Sequence, residues 1–137
     1  MGPISRYAPP LAVMALIFAL SATPDLNSGL GAWDLVLRKL AHVTIFAVLA
    51  LTLIRATQWR RPVLATFIAI AYAMSDEVHQ HFVAGRHGTP VDVAIDAIGI
   101  GLAVLAWVLA ARARGGRPGP PWPLRAAAEP ATASRAR

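Results

Sequence analysis

Ser75-Asp76-Glu77-Val78-His79-Gln80-His81-Phe82 closes an apolar run that starts at about Pro62, and Asp92-Val93-Ala94-Ile95-Asp96 opens the next one, from about Val91 to Ala111. The reading of these two stretches decides the fold. If the apolar runs are membrane helices, charge sits where hydrocarbon should be. An ionisable group at that depth costs at least a few kcal/mol unless it pairs with another or faces a wet cavity. Several kept together point to a polar site inside a helical bundle.

The rest of the composition agrees with a membrane setting. Of 137 residues, 56% are hydrophobic, and the mean hydropathy is +0.53. That exceeds what an ordinary soluble domain carries. Two further apolar runs precede the first two, from about Tyr7 to Ala22 and from about Leu40 to Ile54. A span takes roughly 20 residues, so these two reach span length only with their polar flanks, Arg38 and Lys39 for example. The first run also has the look of a secretory signal peptide, with Arg6 as its basic start and Ala19-Leu20-Ser21-Ala22 as small residues for cleavage. Nothing after it reads as a soluble secreted domain, so a retained helix is expected.

The sequence contains no cysteine, which excludes disulfides, thiolate nucleophiles and cysteine metal sites. The net charge of +6 is concentrated after Arg112, directly behind an apolar run. Basic residues beside a span are topology signals and anionic-lipid contacts. The aromatic-plus-basic pattern of a nucleic-acid surface is missing, so no nucleic-acid partner is expected. Arg6, the Arg55/Arg60/Arg61 loop and the basic tail fall on one side of a four-span topology, and only Arg38, Lys39 and Arg86 on the other. The expectation is therefore an all-α integral membrane bundle of four transmembrane helices with both termini cytoplasmic. Residues 1–111 form the transmembrane domain, and the Pro/Gly/Ala/Arg-rich tail 112–137 is expected to be disordered. Asp25, Asp34 and the charged residues of the two opening stretches then gather at the external side with all four histidines.

Within that half, spacing suggests roles. Lys39 and His42 are three apart on one face of the second helix, and Arg38 and His42 four apart. Lysine and arginine suit phosphate, and a buried His42 can serve as acid or base. The plainer alternative is that the cations snorkel to the interface and His42 bonds the backbone. Asp76 shares a stripe with Gln80, and Glu77 with His81. Adjacent carboxylates in low dielectric raise at least one pKa, as a general acid or base requires; the alternative is a structural ion-pair lock. Gly85, Gly88 and Pro90 mark a tight turn. Thr89 is the expected cap of the last helix, with Arg86 beside it to grip a phosphate or to pair with Asp92. Asp92, Asp96, Gly99, Ala103, Ala106 and Ala110 form a small-residue seam for packing in lipid. A metal is conceivable on His42, Glu77, His81, Asp92 and Asp96, but no dedicated signature such as His-Glu-x-x-His occurs. No metal or other cofactor is predicted.

On these residues the chain resembles the VanZ-like family of small bacterial membrane proteins. The motifs are Ser21-x-x-Pro24, Lys39-x-x-His42 with Phe46 one turn on, and Asp76-Glu77-x-x-Gln80-x-Phe82-x-x-Gly85-Arg86-x-x-Thr89-x-x-Asp92, with Gly99 after Asp96. The resemblance covers about residues 15–108. The family often has Tyr where Phe46 stands and Asn where Asp96 stands, so Phe46 lacks a hydroxyl and Asp96 adds a charge. The resemblance implies a multi-pass protein of the bacterial cytoplasmic membrane and a link to teicoplanin, a lipoglycopeptide that acts at the outer face; it implies no settled reaction. The combined expectation is a site with Asp76, Glu77 and His42 as catalytic groups and Lys39, Arg86, Gln80, Asp92 and Asp96 as binding groups. Its partner would be a polyprenyl-phosphate-type membrane lipid or a lipoglycopeptide, and the bundle is expected to pair with itself. The competing class is a non-catalytic lipid-, antibiotic- or partner-binding protein with structural charges. A proton-coupled carrier is a third reading, weakened by the lack of an inward polar mouth.

Overall fold

In the computed structural model the described residues are 2–24, 32–86, 88–116 and 119. Asp25, His87 and most of the basic tail, for which the sequence suggests roles, lie outside them. Among the described residues four helices follow one another: α1 (Pro3–Ser21), α2 (Ala32–Ala56), α3 (Pro62–His81) and α4 (Pro90–Ala113). Three stretches, Ile4–Ser21, Trp33–Ala56 and Pro90–Ala113, are long and apolar enough to cross a membrane. α3 has 20 residues, enough in length, but its last turns carry Asp76, Glu77, His79 and His81.

The ends of the helices follow local chemistry. Proline stands in the first turn of α1, α3 and α4, where its missing N–H costs nothing. Asp34 at the start of α2 and Arg55 at its end complement the helix dipole. α2 is longer than its apolar run. It takes in the polar flank with Asp34, Arg38 and Lys39, since these long side chains can bond within the bundle or reach water while the backbone stays helical. α3 likewise continues through the whole Ser75–His81 stretch. Between α2 and α3 the chain reverses through Gln58 and Trp59, both left-handed at φ 54° and 62°, with the Trp59 N–H bonded back to the Ile54 carbonyl at 2.9 Å.

Successive helices run antiparallel, with α2 at the centre, touching each of the others and packing most extensively on α4. The core is made by Phe46, Leu49, Ala50 and Ile54 of α2, Ala65, Ala69 and Ala73 of α3, Ile100 and Ala103 of α4, and Ile17 of α1. The three α3 alanines are four apart and so lie on one stripe. Their small side chains let α3 approach closely, as packing in lipid requires. Tyr72 ties α3 to α1 by donating to the Met14 carbonyl at 2.6 Å. The outer surface is apolar, with Leu11, Leu16, Leu37, Phe67, Leu102 and Leu105 all exposed.

The α4 seam departs from expectation at one point. Asp96, Gly99, Ile100 and Ala103 are buried, but Ala106 is exposed and Trp107 packs on the core in its place. A 3.6-residue period advances from 103 to 107 about as readily as to 106, and the larger ring fills the wider space toward the helix end. Gly99 is the closest approach. A Cβ there would collide with the Val43 backbone carbonyl of α2, whereas one at Gly101 would meet nothing. Gly99→Ala is therefore expected to destabilise the bundle by about 1–3 kcal/mol through overpacking, and Gly101→Ala to leave it unchanged. Thermal melts of the two variants in the same detergent check this.

Candidate functional site

The polar residues meet at one end of the bundle, where α1 ends, α2 begins, α3 ends and α4 begins. Three linked groups occupy it. In the first, Asp76 (3% exposed) accepts through Oδ2 from Ser21 Oγ at 2.9 Å and from Gln80 Nε2 at 2.9 Å. Its Oδ1 is buried without a partner among the described residues. Gln80 also reaches Glu77 Oε1 at 3.4 Å and accepts from Arg86 at 3.5 Å. Arg86 is buried and spends its other donors on α1, giving to the Leu20 carbonyl at 3.0 Å and the Thr23 carbonyl at 3.1 Å. Both lie at the end of α1, where carbonyls lack intrahelical partners; the Leu20 carbonyl also accepts the Thr23 N–H at 3.3 Å. Burial, and then the neighbouring Arg38, hold the Arg86 pKa below the ordinary arginine value, while Asp76 and Glu77 act in the opposite sense.

The second group is the turn into α4. Gly85 adopts φ 76°, a left-handed conformation that glycine takes without cost, and brings the chain back over α3. Gly88 then passes so close to Glu77 that a Cβ would strike the Glu77 backbone carbonyl and carboxylate. That approach lets the Thr89 N–H donate to Glu77 Oε2 at 3.0 Å. Thr89 caps α4, accepting from the Asp92 N–H at 3.3 Å and donating to Asp92 Oδ2 at 2.7 Å. Asp92 is ion-paired with Lys39 of α2. The alternatives for Arg86 thus resolve in a third way: Lys39, and not Arg86, pairs with Asp92.

The third group joins α2 to α4 at greater depth. His42 Nδ1 lies 2.9 Å from Asp96 Oδ1, Asp96 is 0% exposed, and the His42 ring stacks on buried Phe46 with centroids 6.2 Å apart. Asp96 Oδ2 has no partner among the described residues. A ligand atom from each of His42, Glu77 and Asp96 lies within 4.8 Å of the others, so among the described residues these three, from three helices, could hold a divalent cation. The i,i+4 pair suggested by spacing, Glu77 with His81, is not joined by a hydrogen bond: His81 is exposed and sits edge-on to Phe82. His79 faces α1 and stacks on Phe18 at 4.3 Å.

Besides an apolar cleft of about 530 Å³ between α3 and α4 that borders Glu77 and Thr89, two clefts open onto this cluster. One, about 240 Å³, lies between α1 and α2 and is mostly apolar, with Ile17, Leu20, Leu37 and Ile45 leading to Ser21, Arg38, His42 and Arg86. The other, about 230 Å³, is polar and is lined by Arg38, Lys39, His42, Gln80, Arg86 and Asp92. Arg38, His42 and Arg86 belong to both. The structure thus joins Lys39 to Asp92, and Asp76, Glu77, Gln80 and Arg86 to one another, and places the His42–Asp96 pair within 4.8 Å of Glu77. Two contributors carried little sequence signal. Ser21 was visible only as part of a short Ser-x-x-Pro motif, and the Thr89 N–H is a backbone group that no side-chain pattern announces.

Ser21→Ala removes one of the two donors to a buried carboxylate oxygen. It is expected to cost about 1–3 kcal/mol and to loosen the end of α1. Faster proteolysis near residues 22–24, with a lower melting temperature, is the outcome that checks it.

No curated protein and no solved structure matches this chain. The family model described as VanZ/LLP1, however, matches residues 5–111, which take in all four helices and every residue of the polar cluster, and the chain belongs to that family.

Proposed function

We propose that the polar cluster binds a phosphorylated membrane lipid of the cell-envelope type, with the phosphate at the Arg38/Lys39/His42 end and the chain in the apolar cleft. One observation carries this reading: an apolar and a polar cleft share Arg38, His42 and Arg86, so an apolar path leads to a polar end where Arg38 is paired with Asp34 and Lys39 with Asp92. Ligand sites of this kind are mainly apolar with a few placed polar groups. Arginine and lysine supply the charge-assisted bonds that a phosphate requires. Asp76, Glu77 and His42 stand beside that end as the groups that exchange protons during processing, while Gln80, Asp92 and Asp96 orient them. In this proposal α3 crosses the membrane as the fourth span and both termini are cytoplasmic. The cluster then lies under the outer leaflet of a bacterial cytoplasmic membrane, where altered handling of an envelope lipid changes susceptibility to teicoplanin-type antibiotics.

Titration of the purified protein in nanodiscs with a polyprenyl monophosphate and with the matching neutral polyprenol tests this. Binding of the phosphate alone is expected. Arg38→Gln should weaken it about tenfold or more, the worth of one charged hydrogen bond, and Glu77→Gln should retain binding but abolish any conversion. Equal affinity for phosphate and alcohol would end the proposal.

A second reading has its own support. Arg86 spends its donors on α1 and Gln80, and the Lys39–Asp92 pair bridges α2 and α4, as a structural lock would. In that case the protein binds a lipid, antibiotic or partner without chemistry. Asp76→Asn and Glu77→Gln would then each lower the melting temperature strongly; unchanged melting with lost lipid conversion favours the first reading.

A further inference from the structure

A larger cleft than the two that share Arg38 lies at the other end of the bundle. It has a volume of about 680 Å³ and opens where α1 begins, α2 ends and α3 begins. Leu11, Met14, Leu53, Leu64 and Ile68 form its wall, and Arg6, Arg60 and Arg61 stand at its mouth. This combination matters because of what is missing around it. Every acidic residue among the described ones, Asp34, Asp76, Glu77, Asp92 and Asp96, belongs to the opposite end. Among the described residues, no carboxylate lines this cleft.

The arginines are nevertheless arranged. Arg6 donates its Nε to the Ala56 carbonyl at the end of α2, and its guanidinium lies 5.1 Å from the centre of the Tyr7 ring. Those contacts leave its terminal Nη groups without a partner among the described residues. Arg55, next to it, donates to the Ser5 carbonyl at 3.0 Å and fastens the start of α1 to the end of α2. Arg60 and Arg61 are exposed, and their side chains bond no described residue. They follow Gln58 and Trp59, whose left-handed backbone is rarely adopted by residues other than glycine. Such conformations persist where the surroundings hold them, often at binding sites. The turn directs two guanidinium-bearing residues to the mouth of the cleft that Arg6 already borders.

A free inorganic anion would use the arginines but leave the leucine and methionine wall wet. A neutral lipid would cover the wall and leave the charges uncompensated. We propose that this cleft binds one acidic phospholipid, its phosphate held by Arg6, Arg60 and Arg61 and an acyl chain lying along Leu11, Met14, Leu64 and Ile68. Basic pockets between membrane helices bind anionic head groups for this physical reason, strong local attraction to a phosphate beside an apolar surface. The assignment does not rest on the reading of the polar cluster, which lies at the other end and shares no residue with this cleft.

The test uses the full chain purified in a neutral detergent, exchanged into vesicles of phosphatidylcholine with increasing phosphatidylglycerol. Retained lipid is counted by native mass spectrometry, and affinity is read from the rise in melting temperature. One phosphatidylglycerol per chain is expected, with phosphatidylcholine washed away. Arg60→Gln with Arg61→Gln should weaken it about 30-fold, the combined effect of two basic side chains at a membrane surface. Both residues are exposed, so the double variant should fold normally. Leu64→Trp, which fills the apolar part and keeps every charge, should also lose the lipid. Retention in Leu64→Trp would mean diffuse surface attraction and overturn the site. So would equal retention of both lipids by the unaltered protein. Loss of phosphatidylglycerol in Glu77→Gln would move the lipid to the polar cluster and overturn it as well.

Discussion

Buried carboxylates that must be given partners without water are the constraint on which this structure depends. Asp76, Glu77 and Asp96 are all nearly inaccessible. In a low-dielectric bundle each requires hydrogen bonds or a cation. Each finds them on other elements: Ser21 of α1 for Asp76, the Thr89 backbone for Glu77, and His42 of α2 for Asp96. The helices are therefore held in register by polar contacts as well as by apolar packing. In lipid this is a rational division, because the hydrocarbon solvent gives apolar side chains little reason to prefer one another. Close backbone approach, at Gly99 on Val43 and at Gly88 on Glu77, brings the polar partners within reach.

The same arrangement explains how structure and candidate function share residues. Arg86 closes the end of α1 and touches Gln80, yet it also borders both clefts. Lys39 locks α2 to α4 through Asp92 while lining the polar cleft. Buried polar networks that are only partly satisfied concentrate free acceptors in one place. Here Asp76 Oδ1 and Asp96 Oδ2 have no partner among the described residues. A bundle serving stability alone would gain by replacing such groups with apolar ones. Their presence is a physical reason to seek a ligand at this end.

Charge divides the molecule in two. The described acidic residues all belong to the polar end, while Arg6, Arg55, Arg60 and Arg61 gather at the other. One end balances its charges internally through ion pairs and hydrogen bonds. Among the described residues the other has cations only, and it borders a cleft of about 680 Å³. The two ends therefore offer different chemistry, one of mixed charge and one cationic.

The sequence by itself determined the helical membrane class, the order of the elements and which charged residues interrupt the apolar runs. It could do so because hydropathy is a local property, and because Pro90 after Thr89, or Asp92 three residues on, acts within one helical turn. It also located the small-residue seam, although the switch from Ala106 to Trp107 depends on how much space the neighbouring helices leave. Pairings were decided by the tertiary structure alone. Spacing joined Glu77 to His81 and offered Asp92 to Arg86. The folded chain joins His42 to Asp96, Lys39 to Asp92 and Arg86 to the carbonyls of α1, because partners on different helices are chosen by rotation and crossing of the helices. Those are set by close packing at Gly99 and the α3 alanines, and no periodicity along one segment encodes them.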